Sequence, residues 1–207
     1  MMIFGHRGSP RRFPENTMAS FEEALRAGAD GFETDLRLLA DGVAVLFHDD
    51  EVGGEPVESL PSSRVRADRV SELARLSGRG TMILEVKRGK WVDALLAEIG
   101  SWKNIIVASF DHSLIAELAQ RKVAFPLGLT VAGVIVDLPP YAQELGAKWC
   151  FPDHHYVDAG LVKALHDVGI GVIPWTPNRP ADWSRLREIG CDGIITDYPA
   201  EAVGWRG

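Results

Sequence analysis

Taken as a strand, residues 31–38 divide their side chains between two faces. Phe32, Thr34, Leu36 and Leu38 share one face, and Glu33, Asp35 and Arg37 share the other. Residues 82–87 repeat the arrangement, with Met82, Leu84 and Val86 opposite Glu85 and Lys87. In an antiparallel sheet such a polar face would meet water. Both stretches instead lie among helix-patterned segments, and a strand covered outside by helices turns its polar face inward. Three carboxylates and two cations then converge on one interior, where a carboxylate is costly unless it is paired or bound to a metal.

The rest of the chain alternates between strand and helix patterns. A short strand at 2–6 precedes a helix opened by Pro14-Glu15-Asn16-Thr17, with Met18, Phe21 and Leu25 at helical spacing and Gly28 as a stop. Asp41-Gly42 signals a tight turn, so residues 43–47 form a hairpin arm on the 31–38 strand. Residues 49–68 are rich in Gly, Pro, Ser and charge and are expected to be loop, followed by a short helix at 69–77. Strands are then expected at 81–87, 104–109, 125–130, 147–151, 170–175 and 192–196. Helices are expected at 91–100, 112–121, 137–145, 158–168 and 180–189. Leaving out the arm, this is eight strands, most followed by a helix. The pattern predicts a compact (β/α)8 TIM barrel forming a single domain over 1–207, with an open doubly wound sheet as the alternative. In such a barrel the site is built at the carboxyl ends of the strands. His6-Arg7, Glu33, Asp35, Glu85, Lys87 and Trp175 all fall there, and His48 ends the arm.

Composition adds mainly exclusions. A net charge of −7 over 207 residues argues against nucleic acid or an anionic membrane surface as the main partner. No apolar run approaches the roughly 18 residues that span a bilayer, and the first residues show no signal-peptide pattern. Cys150 and Cys191 are isolated and expected to be reduced core residues, so a cytoplasmic location is the default.

Glu33, Asp35 and Glu85 offer only oxygen, which suits a hard divalent cation, Mg²⁺ or Ca²⁺. The competing explanation is a salt-bridge network with Arg37, Lys87 and Arg7. His6 and His48 are the acid/base candidates, because imidazole titrates near neutrality. Arg7 and Lys87 are suited to an anionic group, and Trp175 to an apolar pocket wall or the barrel core. His112 and His166 read as surface or packing residues. His154-His155 follow a strand end, and no catalytic role is expected for them. Glu15 and Asn16 read as the start of the first helix.

These motifs resemble the glycerophosphodiester phosphodiesterase family. The resemblance rests on Gly5-His6-Arg7-Gly8, Pro14-Glu15-Asn16-Thr17 and Gly28-Ala29-Asp30-Gly31-Phe32-Glu33-Thr34-Asp35. It continues through Asp41-Gly42-Val43-Ala44-Val45-Leu46-Phe47-His48-Asp49, Leu84-Glu85-Val86-Lys87, Trp175-Thr176-Pro177-Asn178 and Asp192-Gly193-Ile194-Ile195-Thr196-Asp197-Tyr198-Pro199. Between about 90 and 170 only the rhythm matches. The resemblance implies a (β/α)8 barrel that hydrolyses a small-molecule glycerophosphodiester to glycerol phosphate and an alcohol. By position it implies Glu33, Asp35 and Glu85 as metal ligands, His6 and His48 as the acid/base pair, and Arg7 and Lys87 as phosphate contacts.

The chain departs from the family after His48-Asp49, where Asp50-Glu51-Val52-Gly53-Gly54 replaces the usual run and the insertion over 49–80 is short. A more open mouth suggests larger substrates, such as a lysophospholipid. A non-catalytic glycerophosphodiester-binding barrel is the rival from another class, and the intact set of histidines and carboxylates argues against it. An amidohydrolase would place a His-x-His pair on the first strand, which has only His6. Either a monomer or a homodimer is compatible with the sequence.

Overall fold

The computed structural model describes residues 1–89 and 91–207. Eight parallel strands follow one another around a ring: β1 Met2–Gly5, β2 Gly31–Leu38, β6 Thr81–Val86, β7 Ile105–Ser109, β8 Leu127–Val131, β9 Trp149–Pro152, β10 Gly171–Val172 and β11 Gly193–Thr196. The ring closes between β10 and β11. Asp192 N donates to Val172 O at 3.0 Å, Ile195 N donates to Pro174 O at 2.9 Å, and Trp175 bridges Ile195. This is the TIM barrel that the alternation of elements predicts.

Two apolar layers hold it. Outward residues such as Ile3, Phe32, Leu84, Val107 and Leu129 pack against the helices. Phe4, Ile83, Ile106, Ala108, Phe151, Ile173 and Ile195 fill the barrel interior. Helix α1, Met18–Arg26, is capped by Thr17, whose hydroxyl accepts from Ser20 N. Its Phe21 stacks on Phe32 at 4.3 Å and 15°. Around the barrel follow α2 Val92–Ile99, α3 His112–Gln120, α4 Leu138–Glu144, α5 Ala159–Asp167 and α6 Pro180–Glu188. The chain then adds α7, Pro199–Arg206, which lies beyond the last strand expected from periodicity. Pro199 at its first position is the signal that marks the helix start.

The second βα unit is the irregular one. Its arm, β3 Ala44–Leu46, pairs antiparallel with β2, with Leu36 opposite Leu46 and Leu38 opposite Ala44. Residues 49–68 are not the featureless loop their composition suggests. Gly53 and Gly54, at φ 62° and 83°, turn a two-stranded hairpin of β4 Glu51–Val52 and β5 Glu55–Pro56. Leu39, Val45, Val57, Leu60 and Val65 form a small core beneath it. The expected helix at 69–77 is a 3₁₀ helix, Val70–Leu76. Val70, Leu73 and Leu76 recur every three residues, so a three-residue turn buries all of them on one face.

Among the described residues no helix is long and apolar enough to cross a membrane. Cys150 and Cys191 are free and buried, and burial pushes both thiols up to about 12.

Candidate active site

A cavity of about 180 Å³ opens at the carboxyl ends of the strands. His6, Arg7, Glu33, Asp35, His48, Glu85, Lys87 and Trp175 all line it, so every site residue singled out from the sequence reaches one space. The cavity has two sides. Residues within or just after β1, β2, β3 and β6 make one side mostly polar, while Ala108, Phe110, Phe151, Trp175 and Ile195 make the other side apolar. Trp175 N–H donates to Phe151 O at 2.8 Å, and its ring meets Phe110 edge-on at 5.7 Å.

Alternation along β2 and β6 places the carboxylates inside. Glu33, Asp35 and Glu85 each offer an oxygen, and these atoms lie within 4.8 Å of one another. Lys87 Nζ sits 2.7 Å from Asp35 Oδ1 and also contacts Glu85 Oε1. Arg7 Nε lies 3.3 Å from Asp35 Oδ2 without an aligned hydrogen bond, and Arg7 N donates to Glu33 Oε2 at 3.1 Å. Burial, followed by repulsion from Asp35 and Glu85, holds the Glu33 carboxyl well above the usual carboxylate range. Burial also raises Glu85, against the pull of Lys87. Burial would raise Asp35 as well, but Lys87 and Arg7 outweigh it and hold Asp35 low. Lys87 and Arg7 pull Glu33 down, but by less than burial and its two carboxylate neighbours push it up. Three buried oxygen donors with incomplete neutralisation fit a hard divalent cation.

Arg37 departs from the pattern expected of it. It is fully buried, but it turns from the carboxylates towards the arm. Its Nη2 donates to His48 O at 2.7 Å and to Asp50, and its Nη1 donates to Glu58. Among the described arginines and lysines, Arg7 and Lys87 are the ones paired with these carboxylates, and Arg37 braces the segment that carries His48.

Residues 6–82 and 84–201 match the Glycerophosphoryl diester phosphodiesterase family. The chain belongs to that family. It is a phosphodiesterase on a TIM barrel. A relative from Caldanaerobacter subterraneus subsp. tengcongensis, named glycerophosphodiester phosphodiesterase, is 27% identical over 98% of this chain and 96% of its own. A crystal structure of a glycerophosphoryl diester phosphodiesterase described as putative, from Silicibacter pomeroyi, shares the fold. Its TM-score is 0.90 at 24% identity, over 99% of this chain and 92% of that one. A phosphodiesterase from Oleispira antarctica, solved with its product sn-glycerol-3-phosphate, aligns with TM-score 0.91 at 20% identity over 100% and 96% of the chains.

The phosphodiesterase site contains supporting residues that the sequence reading passed over. Asn16 is buried and does more than precede α1. Its Nδ2 donates to Asp35 Oδ2 at 2.8 Å, and its Oδ1 accepts from Thr34 Oγ1 at 2.7 Å and from Asp35 N at 3.2 Å. Glu15 accepts from Arg7 Nη1 at 2.9 Å. Asp197 pairs with His6 Nδ1 at 2.7 Å and accepts from Asn178 Nδ2 at 2.8 Å. Burial would raise Asp197, but its hydrogen bond and charge contact with His6, then Asn178 and Arg11, hold it low. An ionised Asp197 can only accept, so Nδ1 carries the hydrogen and Nε2 is left 4.0 Å from Glu33 Oε2. All three residues lie inside the family's motifs, but the partners of Asn16 and Asp197 lie on other elements.

Proposed function

We propose that this phosphodiesterase hydrolyses a glycerophosphodiester to glycerol phosphate and an alcohol, with a divalent cation held by Glu33, Asp35 and Glu85. Mg²⁺ and Ca²⁺ both suit that donor set. The observation that carries the reading is the shared cavity: two histidines, two cations and three mutually close carboxylates face the same space. Bound there, the cation offsets negative charge on the phosphate oxygens and lowers the pKa of an oxygen ligand.

Arg7 and Lys87 hold the remaining phosphate oxygens, each already fixed by a carboxylate. His6 and His48 move the protons. One takes the proton of the attacking hydroxyl as its oxygen bonds phosphorus, and the other gives a proton to the departing alcohol oxygen as its P–O bond breaks. When the attacking hydroxyl is the substrate's own, water opens the cyclic phosphate with the two roles exchanged. The aromatic side of the cavity excludes water from one flank of the substrate.

The test is release of glycerol phosphate from glycerophosphocholine by the wild type and by His6→Gln and His48→Gln. Turnover falling by ~10²-fold or more in each variant supports both roles. Wild-type turnover that survives either substitution removes that histidine from the chemistry. A second reading, cleavage of a lysophospholipid, is favoured by Val134 and Val136, which are 79% and 82% exposed in the loop after β8. Activity on glycerophosphocholine with none on lysophospholipids refutes it.

A further inference from the structure

Leu127, Leu129 and Val131 of β8 belong to the outer core, so Gly128 and Thr130 face the barrel interior. Gly128 makes room for an aromatic ring, since a Cβ there would lie 2.3 Å from Phe151 Cε2. Thr130, one pleat nearer the rim, lines the cavity, is 3% exposed, and has a buried hydroxyl with no hydrogen-bond partner. In the ring order β8 stands four strands from β1, which places Thr130 across the cavity from His6 and Arg7. Among the described residues on this apolar side, Thr130 alone presents an unpartnered polar atom. Trp175 already donates to Phe151 O. The Thr130 backbone is itself fixed, because its carbonyl contacts His112 Nε2 at 3.1 Å and His112 Nδ1 contacts Tyr141 OH at 3.0 Å.

A buried hydroxyl without a partner is disfavoured in proportion to the hydrogen bond it forgoes. A ligand hydroxyl entering between Phe151 and Ala108 relieves that cost and gains it as selectivity. We propose that Thr130 is a specificity residue for the glycerol moiety, pairing with its terminal hydroxyl while the aromatic side packs its carbons. The inference rests on the phosphodiesterase reading above. Arg7 and Lys87, both against Asp35, place the phosphate on the polar side, and the glycerol hydroxyl next to the phosphate-bearing carbon is the one that reaches phosphorus. The terminal hydroxyl is then free for Thr130. The second alcohol lies towards the rim, where Phe110 is 47% exposed.

The experiment measures kcat/KM for two substrates, glycerophosphocholine and the propane-1,2-diol diester that lacks only the terminal hydroxyl. Wild type, Thr130→Val and Thr130→Ser are compared, with urea midpoints to follow folding. The wild type is expected to favour glycerophosphocholine by about 10-fold or more. Thr130→Val should lose most of that preference by falling on glycerophosphocholine alone, and Thr130→Ser should retain it. An equal loss on both substrates, or an unchanged preference in Thr130→Val, overturns the proposal and leaves the phosphodiesterase reading intact. No wild-type turnover of either substrate overturns the reading and the proposal together.

Discussion

His6 and Asp197 are 191 residues apart in the chain and 2.7 Å apart in the fold. They follow the ends of adjacent strands, β1 and β11, so the parallel pairing of the first strand with the last brings them together. The contact fixes which ring nitrogen faces the cavity. Asp197→Asn presents an amide that pairs with either tautomer, and kcat should fall by ~10²-fold with a smaller change in KM. Steady-state kinetics of that variant on glycerophosphocholine checks this. An unchanged kcat would show that His6 needs no orienting partner.

The same contact predicts a pH signature in stability. Asp197 is held below its ordinary value, so its contribution is fully present above the usual carboxylate range, near ~3.9, and is lost as pH falls through the lowered value. Urea midpoints of wild type and Asp197→Asn should therefore differ above the usual carboxylate range and converge in more acidic solution. A gap that widens below pH 4 contradicts this assignment.

Arg37 binds His48 through its backbone carbonyl and ties Asp50 and Glu58 to the same guanidinium. Arg37→Gln removes donors from a buried position, with a cost of ~1–3 kcal/mol. The arm that carries His48 loosens with it, so kcat should drop more than affinity. Chemical denaturation together with kinetics separates the two effects, and full activity in a stable variant would exclude the positioning role.

Glu33 is the carboxylate that burial and its carboxylate neighbours hold furthest above the usual range, despite Lys87 and Arg7. In protein freed of metal, Glu33→Gln should raise stability by ~0.5–2 kcal/mol, at about 2–4 °C in Tm per kcal/mol, while abolishing turnover. Differential scanning calorimetry in EDTA reads the first effect. A lower Tm for the variant would mean that the carboxylate is already well paired without a cation.

The fold and the residues that line the cavity were legible in the sequence wherever the signal was local. Alternation in residues 31–38 put Glu33 and Asp35 on one face, and the same period did so for Glu85 and Lys87. Arg37 obeys that period too, but it sits past the rim, where a neighbouring segment offers better partners. Asn16 was read as part of a helix start because its partners, Thr34 and Asp35, lie on another element. Asp197 and Thr130 were invisible for the same reason, since only the fold sets Asp197 against His6 and Thr130 against the cavity. The 3₁₀ segment at Val70–Leu76 shows the limit of periodicity, because its apolar spacing of three also fits an α-helix stripe.

The measurement that bears most directly on the central claim is glycerol phosphate release from glycerophosphocholine by metal-free protein titrated with Mg²⁺ or Ca²⁺. It would be run with wild type and with Glu85→Gln. The account predicts no turnover in EDTA, saturable recovery in the wild type with at least one of the two ions, and no recovery in Glu85→Gln. Full wild-type turnover in EDTA, or equal recovery in the variant, would contradict a cation held by Glu33, Asp35 and Glu85.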